Sequence, residues 1–456
     1  MAGIVGLSIE KVKRRFFSQE FFKAVFYQQH FSEEWAGVAV FRNRRGKMFA
    51  RTKPGLFRPN FERAIKQLRG IAGIGYCGPA KEPLEIKINR ETIGICFSGR
   101  IRNCRKLKNR LMKRGASFKR RTVRDLEIEV IAKLIAEGKD IVDGIRHMTK
   151  QIEGTYTLLI LHREKIYSAR SPDGHWCLTI GKKEGEVIIA SSSAGFSNMG
   201  FEIEKEVLPG EIISLQNGKW KTEDKMPSKK VQICSFLPVY TDHPAGKFQG
   251  IPISLIRKRL GLSLAQKDIR KEFVPYIVIA VRNSGGFHEI GYFQEFCRQV
   301  NSGTIKKVPL HDEFLMKYDY AGRSFTPIKK LKRELEAKLK LLISSERFEG
   351  KIVIVVIDDS IVRGTQMVAD LIPKLRMLGV EIEIHLRIAN PELRSHCPWG
   401  KSTKKGECLA VRIPSIEKRI KFLGVESLVY NTIDDLVEAI GLPREQLCID
   451  CSLPTK

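Results

Sequence analysis

No apolar stretch of this 456-residue chain is long enough to cross a bilayer, and its first residues lack the layout of a secretory signal. The expected location is the cytoplasm, where ten cysteines serve as thiols, metal ligands or core residues rather than disulfides. Internal repeats and low-complexity tracts are missing. The nine histidines show no metal spacing and no triad pattern, so His288 and His311 read as ordinary core or surface residues. Acidic residues are scarce, 51 against 80 Lys and Arg, which leaves a formal charge of +29. A field of that size attracts polyanions and anionic metabolites. Residues 100–124 carry twelve basic side chains and no acidic one. They lack the interleaved aromatics of a single-strand platform, and no nucleic-acid fold motif accompanies them. A solvated basic helix face is the favoured reading, with nucleic acid not expected as a partner.

One further absence concerns chemistry. The chain opens "MAGIVGLSIE". A small-residue run of this kind is used by enzymes that attack with their own first residue, and these need a thiol or hydroxyl there. Position 2 is Ala.

What is present divides at about residue 230. Up to that point "GTYTLLILHREKIYSAR" and "EGEVIIASSS" read as antiparallel strands with turns at "SPDG" and "KKEG", and "LEIEVIAKLIAEG" as a helix. The turn-rich stretch 205–230 closes this half. Beyond it, "YIVIAVRNSGG", "KIVIVVIDDSIVRG" and "EIEIHLRIANP" are apolar runs of strand length that alternate with helical patterns. That alternation implies a parallel sheet in an α/β domain, with ligands beyond the carboxyl ends of the strands.

The richest stretch is "VIVVIDDSIVRGTQM" (353–367). A strand ends at Asp358 and Asp359, and a turn with Gly364 leads into a helix. Backbone N–H groups of such a turn favour a phosphate, and the Thr365 hydroxyl adds a donor. Two adjacent carboxylates repel a phosphate but suit sugar hydroxyls or a hard cation such as Mg²⁺. Together they describe a ribose phosphate. The competing reading is a plain strand-to-helix turn with two solvated aspartates.

The stretch resembles the phosphoribosyl pyrophosphate signature of the amidophosphoribosyltransferase family, Asp-Asp-Ser-Ile-Val-Arg-Gly-Thr-Thr, and departs from it at Gln366. In family order, "GIPISLIRKRLG" (250–261), "KYDYAGRSF" (317–325) and "VLPGEII" (207–213) are similar to its transferase entry helix, mobile loop and glutaminase end. The resemblance covers nearly the whole chain. It implies an α+β sandwich like that of N-terminal-nucleophile hydrolases over 1–230. An α/β type I phosphoribosyltransferase domain with a parallel sheet and a Cys-containing tail would then span 231–456. It also implies an enzyme, a glycosyltransferase acting on phosphoribosyl pyrophosphate in the first step of purine synthesis, and a homo-oligomer. By the same likeness Asp358 and Asp359 hold ribose hydroxyls and Mg²⁺ with Ser284. The loop of Ser360, Ile361, Val362, Arg363, Gly364 and Thr365 holds the 5-phosphate, and Lys317 and Arg323 belong to the mobile loop. Departures cluster at the pyrophosphate: Arg282 and Asn283 stand for Pro and Asp, Tyr318 and Asp319 for Asn and Arg, and Ser345 for an Arg.

The glutaminase half departs further. Ala2 stands where the family has its Cys nucleophile, Gly75 where an Arg grips the glutamine carboxylate, and Ser98 where an Asn completes the oxyanion hole beside Gly99. Glu127 aligns with the Asp that binds the substrate amine, and "RSPDGHWCL" (170–178) replaces Arg-Asp-Pro-x-Gly-x-Arg-Pro-Leu. Losing an oxyanion donor alone costs ~10²–10³ in rate. Glutamine hydrolysis is therefore expected to be lost, with Cys77 a buried core thiol rather than a substitute. The expected reaction takes free ammonia, or ammonia from a separate protein. The alternatives are another acceptor, or a regulatory paralogue that binds without turnover. Finally, Cys234, Cys397, Cys448 and Cys451 occupy the four positions that hold a structural [4Fe–4S] cluster in some members, with Zn²⁺ the nearest alternative.

Overall fold

The computed structural model describes residues 1–454 apart from 43–46, 89–90, 120–121, 229, 283, 319–338, 340, 346, 380, 401–402 and 404–405. The chain forms two compact units. One comprises Met1–Cys234 with Ala245–Gly250, the other Ser235–Pro244 with Ile251–Lys456.

The first unit is a sandwich of two antiparallel sheets. Its strands are β1 (Gly3–Ile9), β2 (Trp35–Arg42), β3 (Lys47–Pro54), β4 (Ala72–Gly78), β5 (Leu84–Ile88), β6 (Glu91–Ile101), β7 (Gly154–His162), β8 (Lys165–Arg170), β9 (Thr179–Lys183), β10 (Glu186–Ala190), β11 (Glu202–Glu206), β12 (Glu211–Gln216) and β13 (Lys219–Lys225). The sheet orders are β11-β9-β10-β1-β4-β2-β3 and β13-β12-β8-β7-β6-β5. Ile4 and Ile74 of the first sheet pack with Leu159, Leu161, Ile166 and Ile213 of the second, so one core lies between the sheets. Helix Phe17–Phe26 covers the outer face of the first sheet, through Phe17, Phe21 and Val25. Helices Cys104–Lys113, Val123–Ile135 and Ile141–Gln151 cover that of the second. This four-layer order explains the opening run. Strand β1 is central and every residue in it is buried, so it reads as continuously apolar and small rather than alternating.

The sequence reading of "SPDG" needs correction. "KKEG" does turn β9 into β10, with Gly185 at φ +65°. The "SPDG" segment instead carries the chain from β8 in one sheet to β9 in the other, so it joins no hairpin. Alternation identifies strands, but a turn signal says nothing about which sheet receives the next one.

The second unit is built on five parallel strands in the order β15-β14-β16-β17-β18, where β14 is Ile277–Ala280, β15 Leu310–His311, β16 Lys351–Asp358, β17 Glu381–Ile388 and β18 Ser427–Tyr430. Ile354, Val355, Val356 and Ile357 of β16 are fully buried, each contributing ~1.5–3 kcal/mol relative to exposure. Buried apolar sheet faces alone would not fix helix Ile253–Ile269 against β17. An ion pair does so: Asp268 Oδ2 accepts from Arg387 Nε at 2.6 Å and from Tyr292 Oη at 2.6 Å, with all three residues buried. Removing one member strands the other charge. Arg387→Ala is expected to cost ~3–5 kcal/mol, read as a lowered urea midpoint of the second unit. Arg387→Ala with Asp268→Asn should recover part of that loss.

Candidate functional site

The two sets of predicted site residues lie one in each unit. In the first unit Ala2 is buried, and its backbone N–H donates to Ser98 Oγ at 2.9 Å. Ser98 and Gly99 sit on β6, where a Cβ on Gly99 would meet Thr155 O at 2.2 Å. Gly75 lies on β4, paired with Val5 and Val38. A Cβ there would meet Val25 Cγ2 at 2.3 Å, so the space an arginine stem would need is filled by Val25. The Ala2 methyl faces the inter-sheet core, close to where a Cβ on Gly78 would stand. Glu127 is buried on helix Val123–Ile135. Its carboxylate is engaged at the end of β6, by Arg100 Nη1 at 3.5 Å and the Ile101 N–H at 3.3 Å. Cys77 packs with the helix layer, on the opposite face of the sheet from Ala2, and its Sγ lies 3.6 Å from Val25 O. Burial pushes its thiol up, away from nucleophile range.

In the second unit the predicted residues converge at the carboxyl ends of β14 and β16. Asp358 ends β16 and, with Asp359, is buried. Ser284 Oγ donates to Asp358 Oδ1 at 2.7 Å, and the Asp359 N–H donates to the same oxygen at 2.9 Å. Ser360 Oγ donates to Asp359 Oδ2 at 2.5 Å. Burial pushes the Asp359 carboxyl up, opposed by Ser360, Asp358 and, through its charge, Arg257. The loop after β14 hugs β16: the Val281 N–H donates to Ile357 O at 2.9 Å, and a Cβ on Gly285 would meet that oxygen at 2.2 Å. Only glycine fits there. After Asp359 the chain turns through Gly364, whose φ of +75° an L side chain resists, into the helix that begins at Thr365. Among the described residues, the N–H groups of Ile361, Val362, Gly364 and Thr365 donate to no protein acceptor. A turn of unpaired N–H groups at a helix start is an anion cradle. Arg363 points elsewhere, paired with Glu407 through Nε at 3.0 Å. Lys317 ends a short strand, Leu315–Lys317, paired with Leu341–Ile343. Arg323, Asp319 and Asn283 lie outside the described residues.

Of the four cysteines, Cys234 belongs to the first unit, where its N–H donates to His175 O at 3.1 Å. Cys397, Cys448 and Cys451 lie in the second, near enough that each of the last two feels Cys397. Burial, with Cys397 nearby, pushes the Cys451 thiol up to about 12. Among the described residues no three His, Cys, Asp or Glu side chains are disposed to hold one metal ion.

A family model for a glutamine amidotransferase domain matches residues 79–198. The amidophosphoribosyltransferase of Methanothermobacter thermautotrophicus is 30% identical over 98% of this chain and 93% of its own. The chain belongs to the amidophosphoribosyltransferase family. Membership makes it an enzyme of the glycosyltransferase class. The Bacillus subtilis amidophosphoribosyltransferase is 27% identical over 91% of this chain and 85% of its own. A solved B. subtilis glutamine phosphoribosylpyrophosphate amidotransferase, complexed with ADP and GMP, superposes with a TM-score of 0.82 at 25% identity, over 98% of this chain and 96% of that one. The fold class is thus that of the family, a hydrolase-like sandwich with a transferase domain built on a parallel sheet.

Sequence reasoning missed two features of this amidophosphoribosyltransferase-family chain. Val25, in an unremarkable helix, is what occupies the space beside Gly75; only its packing reveals that. Arg257 was passed over in the entry helix, yet it is buried and acts on Asp359. Gly75→Ala should cost ~1–3 kcal/mol as an overpacked core change, and Val25→Ala should relieve it in the double variant. Thermal unfolding of the three variants checks this coupling; additive losses would show that Val25 does not fill the position.

Proposed function

We propose that this enzyme transfers the phosphoribosyl group of 5-phosphoribosyl 1-pyrophosphate to ammonia, giving 5-phosphoribosylamine and pyrophosphate, without hydrolysing glutamine. One observation carries the transferase reading: a buried Asp358–Asp359 pair beside a turn of unpaired N–H groups. The cradle would take the 5-phosphate, and the carboxylates would take the ribose hydroxyls. Mg²⁺ fits the same place, because two buried carboxylates and the Ser284 hydroxyl form an all-oxygen donor set and the Asp359 carboxyl is strained by burial. When bound, Mg²⁺ would offset charge on the departing pyrophosphate. The protein's own part is positioning and exclusion of water.

Loss of glutamine hydrolysis is supported by the first unit. A methyl group replaces the nucleophile, Val25 fills the clamp space, and Arg100 already engages Glu127. The nitrogen would come from free ammonia or from a separate ammonia-supplying protein. Cys397, Cys448 and Cys451, grouped in the second unit, fit a [4Fe–4S] cluster in donor type. The iron of such a cluster would favour the thiolate form of thiols that burial now holds protonated. It would supply structural cross-linking only.

Pyrophosphate release from phosphoribosyl pyrophosphate and Mg²⁺ tests the reading. Turnover is expected with ammonium above pH 8 and not with glutamine. Turnover with glutamine would sink the claim of a lost hydrolase. Asp359→Asn should lower kcat/KM by on the order of 10²–10³, the loss for one preorganised electrostatic group. Ala2→Cys alone should leave glutaminase activity absent, since restoring the thiol does not empty the space beside Gly75.

A further inference from the structure

Strands β15 and β14 end side by side, and helix Gly286–Asn301, which follows β14, begins with two fully buried ionisable residues, His288 and Glu289. Glu289 has no hydrogen bond at either carboxylate oxygen. Arg282, in the loop after β14, places Nη2 at 3.7 Å from Glu289 Oε2. His311, at the end of β15, places Nε2 at 3.4 Å from Oε1, and its ring stacks on Phe293, one turn along the same helix. Glu313, beyond β15, acts from the other side of Arg282, whose Nε lies 2.7 Å from Glu313 Oε1 without making a hydrogen bond. The neighbouring His288 feels Arg257 of helix Ile253–Ile269 instead, and burial pushes its ring down, towards the neutral form.

The Arg282 guanidinium therefore stands between two carboxylates and is hydrogen-bonded to neither. Glu313 is half exposed, so its pull is weakened by solvent. Glu289 is buried, so its pull is strong when it is charged, but charging it is costly. Burial pushes its carboxyl from an ordinary 4.5 up to about 7, with Arg282 opposing the rise and Glu313 adding to it. A carboxyl raised in this way stabilises the fold in its protonated form. That contribution is complete below 4.5 and is lost as pH rises through about 7. The balance between the two carboxylates thus turns over near neutral pH. The partner that Arg282 takes also bears on the site, because Ser284, two residues on, bonds Asp358 at 2.7 Å.

We propose that Glu289 is a positioning residue that works as a proton switch: protonated, it leaves Arg282 to Glu313, and deprotonated, it draws the guanidinium inward together with the loop that carries Ser284. His311, held by Phe293, stands ready to donate to Glu289 Oε1 in the deprotonated state. Only a proton is exchanged; it leaves the carboxyl for solvent, and the ion pair with Arg282 replaces it. Such a switch needs an element with two arrangements of similar energy. Arg282 is that element, because one of its partners is solvated and the other is buried. The drawn-in loop is the one that orders Ser284 for Asp358, so the deprotonated state is the active one. This consequence for catalysis rests on the reading of the site as one for phosphoribosyl pyrophosphate; the switch itself does not.

Urea unfolding of the full chain at about pH 5.5 and about pH 8.5 tests the switch without reference to activity. The midpoint shifts of Arg282→Gln and Glu289→Gln should add in the double variant at the lower pH and fail to add at the higher, where the pair is charged. Arg282→Gln with Glu313→Gln should show the reverse. Glu289→Gln alone should raise the midpoint at the higher pH, since it removes a buried charge, and flatten the fall with rising pH. Pyrophosphate release at constant free ammonia then tests the link to the site. Wild-type kcat/KM should rise severalfold through about pH 7, and Glu289→Gln should stay at the low-pH level. That variant would be more stable and less active at the higher pH, whereas a purely structural role moves stability and activity together. Additive shifts at both pH values, or equal coupling at both, overturn the proposal. So does the same rise in Glu289→Gln. If the wild-type chain releases no pyrophosphate at either pH, the sugar-phosphate reading falls, and the unfolding cycles decide the switch on their own.

Discussion

Asp358 and Asp359 are neighbours in sequence and both are buried, and much of the second unit is arranged to tolerate that. Two carboxylates so close repel each other, and burial raises the cost of charging either. Asp358 accepts from the Ser284 hydroxyl and from the backbone of Asp359, and Asp359 accepts from Ser360. The Ser284 bond requires the loop after β14 to lie against the end of β16, which in turn requires glycine at 285. Arg257 adds positive charge from helix Ile253–Ile269, where its guanidinium is held by the carbonyls of Pro238 and Asp242 at 2.9 and 2.7 Å. The geometry of the aspartate pair thus reaches back through a loop and a helix.

The parts of this arrangement that are local in sequence could be read from the sequence. A strand of Ile and Val that ends in Asp-Asp and passes through Gly into a helix announces its own geometry, since each step follows from side-chain period and backbone freedom. The parallel sheet followed from the spacing of such runs. The parts that depend on distant packing could not be read. Val25 matters because of where helix Phe17–Phe26 lies on β4, and no pattern within the helix says so. Glu289 and His311 look like ordinary polar residues until strand order places the end of β15 beside the first turn of helix Gly286–Asn301. The "SPDG" turn shows the same limit: its chemistry is local, but the sheet that receives the next strand is decided elsewhere.

The two units also differ in how departures from the family pattern are accommodated. In the second, the substitution at 282 adds a charge beside the end of β14, whose backbone elements are kept. In the first, smaller residues at 2, 75 and 98 are absorbed into a continuous core, with Ser98 bonded to the backbone of Ala2 and Gly75 packed under Val25. The former leaves a strand end with altered polarity; the latter leaves ordinary protein interior.

The filling of the space beside Gly75 has a consequence for how the first unit tolerates substitution. A side chain at position 75 is disfavoured while Val25 is in place, because even a single carbon there would stand 2.3 Å from Val25 Cγ2. Val25 would have to shrink first, and that step alone opens a void in the layer between helix Phe17–Phe26 and β4 and brings no catalytic gain. Each step is disfavoured until the other has been taken. Packing of this kind acts as a ratchet: surface and loop can drift, while position 75 stays small unless Val25 changes with it.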